Sequence, residues 1–299
     1  MIAPDVNDDE EGFQGPSFIG VFDGNGHTIS HVTIVGEGYL ALFGRIESAE
    51  ISNLGLESVY VNGGCSLVAY SLNANITTCY ARGVVMGDGA KAGLVGNSMR
   101  NEMTDCYYSG TVSGKGDHVG GLVGLNIGTI AMSFSAGTVD GNRSVGGLVG
   151  LNVGLVVDSH SICSVSGQEN VAGIIGTNGI KLHLGGTGRV INCHFAGSLR
   201  GALSVGGLIG AAPWGEVVSS FWDTETSGQS TSAGGTGKTT AEMKQQSTFE
   251  GWDFINVWDI GEGQTYPYLR TYSPADINQD GSVNFLNLAV LAENWLAAR

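Results

Sequence analysis

The chain has 299 residues, enough for one large domain or two ordinary ones. Glycine supplies 50 of them, about one residue in six where roughly 7% is usual, while proline supplies 5 and charged residues 14%; collagen and a charged disordered chain are both excluded. The 13 Lys and Arg against 28 Asp and Glu leave a net charge of −15, which argues against nucleic acid or an anionic membrane as a partner, because phosphate contacts need clustered cations.

Residues 1–17 read as an acidic lead-in without the character of a signal peptide. No apolar run approaches the ~20 residues that cross a bilayer, so no membrane insertion is expected. FIGVFDGNGHTISHVTIVG (18–36) reads as strand, turn, strand, with DGNG at 23–26 as a hairpin turn containing φ > 0 residues.

One phrase then recurs. GLVG starts at 93, 121 and 147, GIIG at 173 and GLIG at 207, so the steps are 28, 26, 26 and 34 residues. Weaker copies stand at 41–44 (ALFG) and 66–69 (SLVA), and residues 119–141 align with 145–167 without a gap. A period near 26 means a solenoid or a propeller. Each unit holds runs of three to seven apolar or alternating residues punctuated by Gly or Asn-x-Gly, which is the pattern of short strands. Twenty-six residues are too few for a propeller blade but suit three strands and three turns. The expected fold is therefore all-β, a right-handed parallel β-helix over 18–222, with coils about 4.8 Å apart.

That fold gives the repeated residues physical roles. The Gly pairs at 120–121, 146–147 and 206–207 belong where the backbone turns sharply or coils approach closely. Leu122, Leu148, Ile174 and Leu208 are expected to form one inward stack, and Asn126, Asn152 and Asn178 to bond between coils at a turn. The five cysteines are odd in number and too sparse for a disulfide framework. Cys79, Cys106 and Cys193 align (TTCYARG, TDCYYSG, INCHFAG) and read as small half-apolar ladder residues rather than disulfide or metal partners. The 34-residue step marks an insertion near 178–188 that should bulge as a loop.

The unit resembles the GLUG repeat of bacterial surface and secreted proteins, closely over 93–222 and loosely over 41–92. The resemblance implies the solenoid and an extracellular or cell-surface location. It implies little about function, because such repeats decorate proteins of many roles.

After Trp222 the period stops. Residues 223–272 are expected to cap the open last coil, with a short helix at 240–247 begun by the capping-box pattern Thr239-Thr240-Ala241-Glu242. The aromatics Trp222, Phe249, Trp252, Phe254, Trp258, Tyr266 and Tyr268 crowd this stretch. They read first as the core of the cap, and second as a sugar-stacking platform. GGTGKTT (234–240) imitates a phosphate-binding loop, but Ser232 stands where the first Gly is needed.

Residues 273–299 carry the sharpest chemical signal. Asp276, Asn278 and Asp280 precede Gly281 at calcium-loop spacing, with Ser282 at the backbone-carbonyl position and Asn287 at position 12. Phe285, Leu288, Leu291, Ala292 and Trp295 follow at helical spacing. The segment resembles half of a type I dockerin, which implies calcium as a cofactor and a cohesin-like or cell-surface assembly as a partner. It departs from that family in having one half only and Asn287 where Asp is usual. Two carboxylates imply weak affinity, of order 10⁻⁴ M or poorer.

No catalytic residue and no further cofactor site is assigned. β-Helix lyases and hydrolases need clustered carboxylates, or carboxylates with Arg or Lys, on one face. Here Asp140 and Asp158 fall out of register, and the six His show no metal spacing. The leading reading is a non-catalytic extracellular structural or adhesive solenoid tethered through the calcium loop. The alternative is a carbohydrate-binding or polysaccharide-degrading component of a secreted assembly, in enzyme form a polysaccharide lyase or glycoside hydrolase. A third reading is a piece of a longer secreted protein, since the repeats begin almost at Met1.

Overall fold

A computed structural model describes residues 2, 15–36, 38, 40–89, 91–180 and 186–272. The chain winds as a parallel β-solenoid whose three faces are sheets of eight, seven and fourteen strands. One coil shows the path. Face one holds Val123–Asn126, face two Thr129–Ala131, and face three Phe134–Asp140 with Arg143–Gly146; Val149–Asn152 then lies beside Val123–Asn126 on face one. Registers are in phase, Val123 with Val149 and Ile130 with Val156, so every repeat position becomes a column along the axis.

The columns make the core. Leu67, Leu94, Leu122, Leu148, Ile174 and Leu208 are fully buried, as are Phe43, Val68, Val95, Val123, Val149, Ile175 and Ile209 beside them. Face two contributes Ile51, Ile76, Met103, Ile130, Val156 and Val190. Each buried branched side chain stabilises the stack by roughly 1.5–3 kcal/mol. The expected Leu122–Leu208 stack is therefore present, and its backbone is bonded coil to coil, Leu122 N–H to Leu148 O at 2.9 Å and Leu148 N–H to Ile174 O at 3.1 Å.

The paired glycines are explained by close approach rather than by left-handed backbone. A Cβ on Gly121 would lie 2.0 Å from the Gly147 carbonyl oxygen, and one on Gly147 2.1 Å from that of Gly173. On Gly173 and Gly207 it would strike the rings of Phe195 and Trp222, each at 2.1 Å. The second glycine of the pair thus admits both the next coil and the inward side chain of face three.

The 18–36 opening differs from a hairpin. Asn25 and Gly26 do take φ of 50° and 73°. Val21–Asp23, however, pairs with Glu50–Ser52 on face two, and Thr28–Ser30 pairs with Gly55–Glu57 on face three. DGNG is a corner between two faces, because each strand finds its partner in the following coil. The 34-residue step also resolves. Asn152 to Leu155 spans 3 residues and Asn178 to Arg189 spans 11, so 8 are inserted, which is 34 − 26. Ile180 bridges Gly186 at the insertion's base, and Arg189–Ile191 rejoins face two beside Leu155–Val157.

Contacts divide the chain into two compact units, Met1–Thr240 and Ala241–Arg299. Within the first, Thr236–Lys238 pairs with Phe221–Asp223, so the GGTGKTT segment supplies a strand. A helix at Thr224–Ser227, absent from the sequence reading, precedes it. The expected helix at 240–247 is split into Thr240–Met243 and a 3₁₀ turn at Gln246–Thr248. In the second unit Met243, Phe249, Trp252, Trp258 and Leu269 are buried, and Trp258–Asp259 pairs antiparallel with Tyr268–Leu269.

Candidate functional site

The expected calcium ligands Asp276, Asn278, Asp280, Ser282 and Asn287 lie outside the described residues. Among the described residues no group of three or more His, Cys, Asp or Glu is placed to hold a metal.

The corners between faces carry the polar chemistry. In later coils the first corner is an amide ladder. Asn126 Nδ2 donates to Asn152 Oδ1 at 2.9 Å, and Asn152 Nδ2 to Asn178 Oδ1 at 2.9 Å, all three side chains being fully buried. Asn126 Oδ1 also accepts from Gly128 N–H, which explains the Asn-x-Gly spacing. The second corner holds a left-handed residue in each coil, including Asp105, Met132, Asp158 and Asn192 at φ of 46–52°.

Cys79, Cys106 and Cys193 follow that left-handed residue and are free and buried. Ser133, Ser159 and Ser220 complete their column. Cys106 Sγ donates to Thr104 O and Ser133 Oγ to Ala131 O, each two residues back, while Ser133 Oγ accepts the Cys106 amide at 3.1 Å. Burial pushes the Cys79 and Cys193 thiols up to about 12 and Cys106 well above its ordinary value. These thiols are protonated at neutral pH, hence weak nucleophiles and weak metal ligands.

The next column was missed by the sequence reading. Tyr80, Tyr107, Phe134, His160 and His194 stack face to face, with centroids 4.8, 4.8, 5.1 and 5.0 Å apart. The signal was available: each ring follows the Cys or Ser of the preceding column. Burial, with the His194 ring beside it, holds His160 well below the ordinary imidazole range, so it is neutral at pH 7. The half-buried His118 is shifted down for the same main reason, desolvation.

The carboxylates are dispersed. Asp88 pairs with Lys115 at 2.6 Å, both exposed, Glu169 with Arg143 and Glu216 with Arg189. Asp140 lies on face three, where Ser166 Oγ donates to it, and Asp158 sits at a corner; the two are out of register, as expected. The aromatics of 222–268 are largely buried, Trp222 within the solenoid core and the others within the second unit. Trp222, Trp252 and Trp258 are buried, Phe249 packs on Trp252 at 4.7 Å, and Trp252 on Trp258 at 4.6 Å. Trp214 is 53% exposed, with its backbone against Gly179 at the base of the insertion.

Stacked parallel coils, buried amide and aliphatic columns and dispersed surface charge define the class: a parallel β-solenoid protein. No protein-family model matches the chain. Over 94 residues, 29% of this chain and 11% of the relative, it is 45% identical to a protein of Evansella cellulosilytica named as a Gly-rich membrane protein. Over 100 residues, 32% of this chain and 1% of the relative, it is 35% identical to Halomucin of Haloquadratum walsbyi. The chain thus spans a small fraction of either relative. A crystal structure described as an immunoglobulin A1 protease of Bacteroides ovatus overlaps 83% of this chain and 76% of its own, at 20% identity and a TM-score of 0.48; that likeness assigns no activity. No helix among the described residues is long and apolar enough to cross a membrane.

Proposed function

We propose that the chain is a non-catalytic structural or adhesive solenoid of the extracellular or cell-surface space, tethered through a dockerin-like calcium loop at 276–287. The observation that carries the reading is the unbroken set of axial columns, Leu67 to Leu208 and Asn126 to Asn178, which makes a stiff spacer with a broad surface. The partial identity to a protein named as a membrane protein supports the location. Millimolar calcium outside cells would fill a loop of two carboxylates, whereas cytosolic calcium would leave it empty. The cohesin-like partner follows from the dockerin resemblance alone.

A second reading, carbohydrate binding, is favoured by one observation, the exposed Trp214 beside the 178–188 insertion. A glycan array run in millimolar calcium and again with chelator separates the two. A blank array in both conditions is the expected result. Specific binding lost in Trp214→Ala replaces the structural reading with the carbohydrate one. Calorimetry of the intact chain at millimolar calcium tests the tether: heat that disappears in Asp276→Ala/Asp280→Ala supports it, and a flat titration removes it.

A further inference from the structure

One buried column of face three changes character toward the early coils. Val119, Val145 and Val171 are fully buried and in register, with Val205 after them. Ala92 pairs with Gly120, so Lys91 takes the valine position one coil earlier, and it is only 6% exposed. Facing glycines make room for the column. A Cβ on Gly141 would lie 2.8 Å from Val145 Cγ2, and one on Gly87 2.6 Å from Lys91 Cε. One coil earlier still, Val68 pairs with Val95, and counting back four residues from each sets Gly64 beside Lys91 with no side chain at all.

A cavity of about 130 Å³ opens where the valines stop. Lys91, Gly63, Gly64, Cys65, Gly96 and His118 are among the residues that line it. That volume holds several waters or one tetrahedral oxyanion. Lys91 Nζ donates to Gly63 O on the cavity wall at 3.2 Å, which uses one of the three ammonium donors.

The counter-charge is missing from the wall. No Asp or Glu among the described residues lines the cavity, and Lys91 makes no ion pair among them. Asp88 is held by Lys115 at 2.6 Å, and Lys91 adds only a minor pull on its carboxyl. Burial pushes the Cys65 thiol up, so it stays neutral at pH 7 and supplies no anion.

We propose that this cavity binds a tetrahedral oxyanion, sulfate or phosphate, through the Lys91 ammonium and the polar backbone at Gly63, Gly64 and Gly96. A buried ammonium is costly without a counter-charge, and an anion in the cavity supplies one. Lysine serves such ions as a point charge, and glycine walls let backbone N–H groups come close. The chain's net charge of −15 opposes any anion, so the affinity is millimolar rather than tighter. The inference rests on the solenoid alone and not on the calcium tether.

The test uses the full chain with sodium sulfate and sodium phosphate up to about 50 mM, beside sodium chloride at matched ionic strength. The melting temperature gives affinity and amide NMR gives the place. The expected result is a saturable rise with either oxyanion and shifted amides at 63–65 and 96–97. Lys91→Met keeps the apolar stem and should weaken binding about tenfold or more. It also reads out the linear rise that sulfate gives any protein by exclusion. If Lys91→Met does not fold, Lys91→Val, which extends the valine column, carries the test. Glucose 6-sulfate separates the sources: binding as tight as that of sulfate assigns the site to an ester group on a larger molecule, and no binding assigns it to the free ion. No saturable rise, the same rise in chloride or in the Lys91 variant, or shifts elsewhere overturns the proposal. So does binding that appears only in Glu37→Gln. Glu37 adjoins Gly38 of the cavity wall and lies outside the described residues, and the occupant would then be the chain's own carboxylate.

Discussion

The early and late coils turn the same corner, from face one to face two, with different chemistry. In the early coils four positions separate the corresponding residues: Ile46 to Glu50, Ser71 to Asn75, Ser98 to Glu102. Each of these corners contains one left-handed residue, Ser48, Asn73 and Arg100, at φ of 49°, 48° and 58°. In the late coils three positions suffice, Asn126 to Thr129 and Asn152 to Leu155, and a buried Asn side chain bonds the turn in place of the extra residue. Asn101 serves both designs. Its Oδ1 accepts the Ala74 amide at 2.9 Å and its Nδ2 donates to Ser71 O and Ser98 Oγ. A solenoid can therefore shorten its period by one residue if a buried amide replaces the backbone strain of a left-handed corner.

Breaking the late corner should cost most. Asn152→Ala removes a donor from Asn178 and an acceptor from Asn126 and Gly154, at about 1–3 kcal/mol for each buried group left unpaired. Urea denaturation measures the loss, and a loss below ~1 kcal/mol would show that the ladder is ornamental. Asn101→Ala should cost about 1–3 kcal/mol, because one amide and one carbonyl at the early corner lose their partner.

The left-handed corner can be probed from the other side. Asn73→Val should cost about 1–2 kcal/mol at φ 48°, whereas Asn73→Gly should be nearly neutral. Equal effects of Val and Gly on the melting temperature would contradict a backbone origin.

The His160 stack sets a pH dependence. The folded imidazole titrates well below 6.5, so the unfolded chain binds the proton first as pH falls. Its contribution is complete above about pH 6.5 and is lost progressively below it. The melting temperature should fall from pH 7 to 5, less steeply in His160→Phe, which extends the aromatic column. An unchanged slope would place the acid sensitivity elsewhere. The smallest effect is expected for Cys106→Ser, within about 1 kcal/mol, because Ser133 and Ser159 already fill that column with the same bond.

Much of this was legible from spacing. The Leu122–Leu208 stack, the Asn ladder and the free cysteine column follow from residues repeated at one period in a fold that converts period into contact. The ring column was hidden because Tyr, Phe and His share no single letter, although they share flatness and position. DGNG misled because a φ > 0 pair serves a corner as well as a hairpin, and strand partners are chosen by the next coil. The left-handed corner was hidden because it accepts Ser, Asn, Asp, Thr, Arg and Met alike. In 223–272 the crowding of aromatics could be read from composition, but the Thr224–Ser227 helix could not, since its place depends on where the preceding coil lies.

The amide ladder is tested most directly by a double-mutant cycle on Asn126 and Asn152, read by urea denaturation of the single and double alanine variants. Removing either residue leaves the other's amide group without its partner, and removing both abolishes that mutual cost while Asn178 loses its donor as in the single Asn152 variant, so the double variant should lose less than the sum of the singles by about 0.5–3 kcal/mol. Losses that add within about 0.3–0.5 kcal/mol would mean that the two side chains stabilise their own turns independently, and that the coils are held by their aliphatic columns alone.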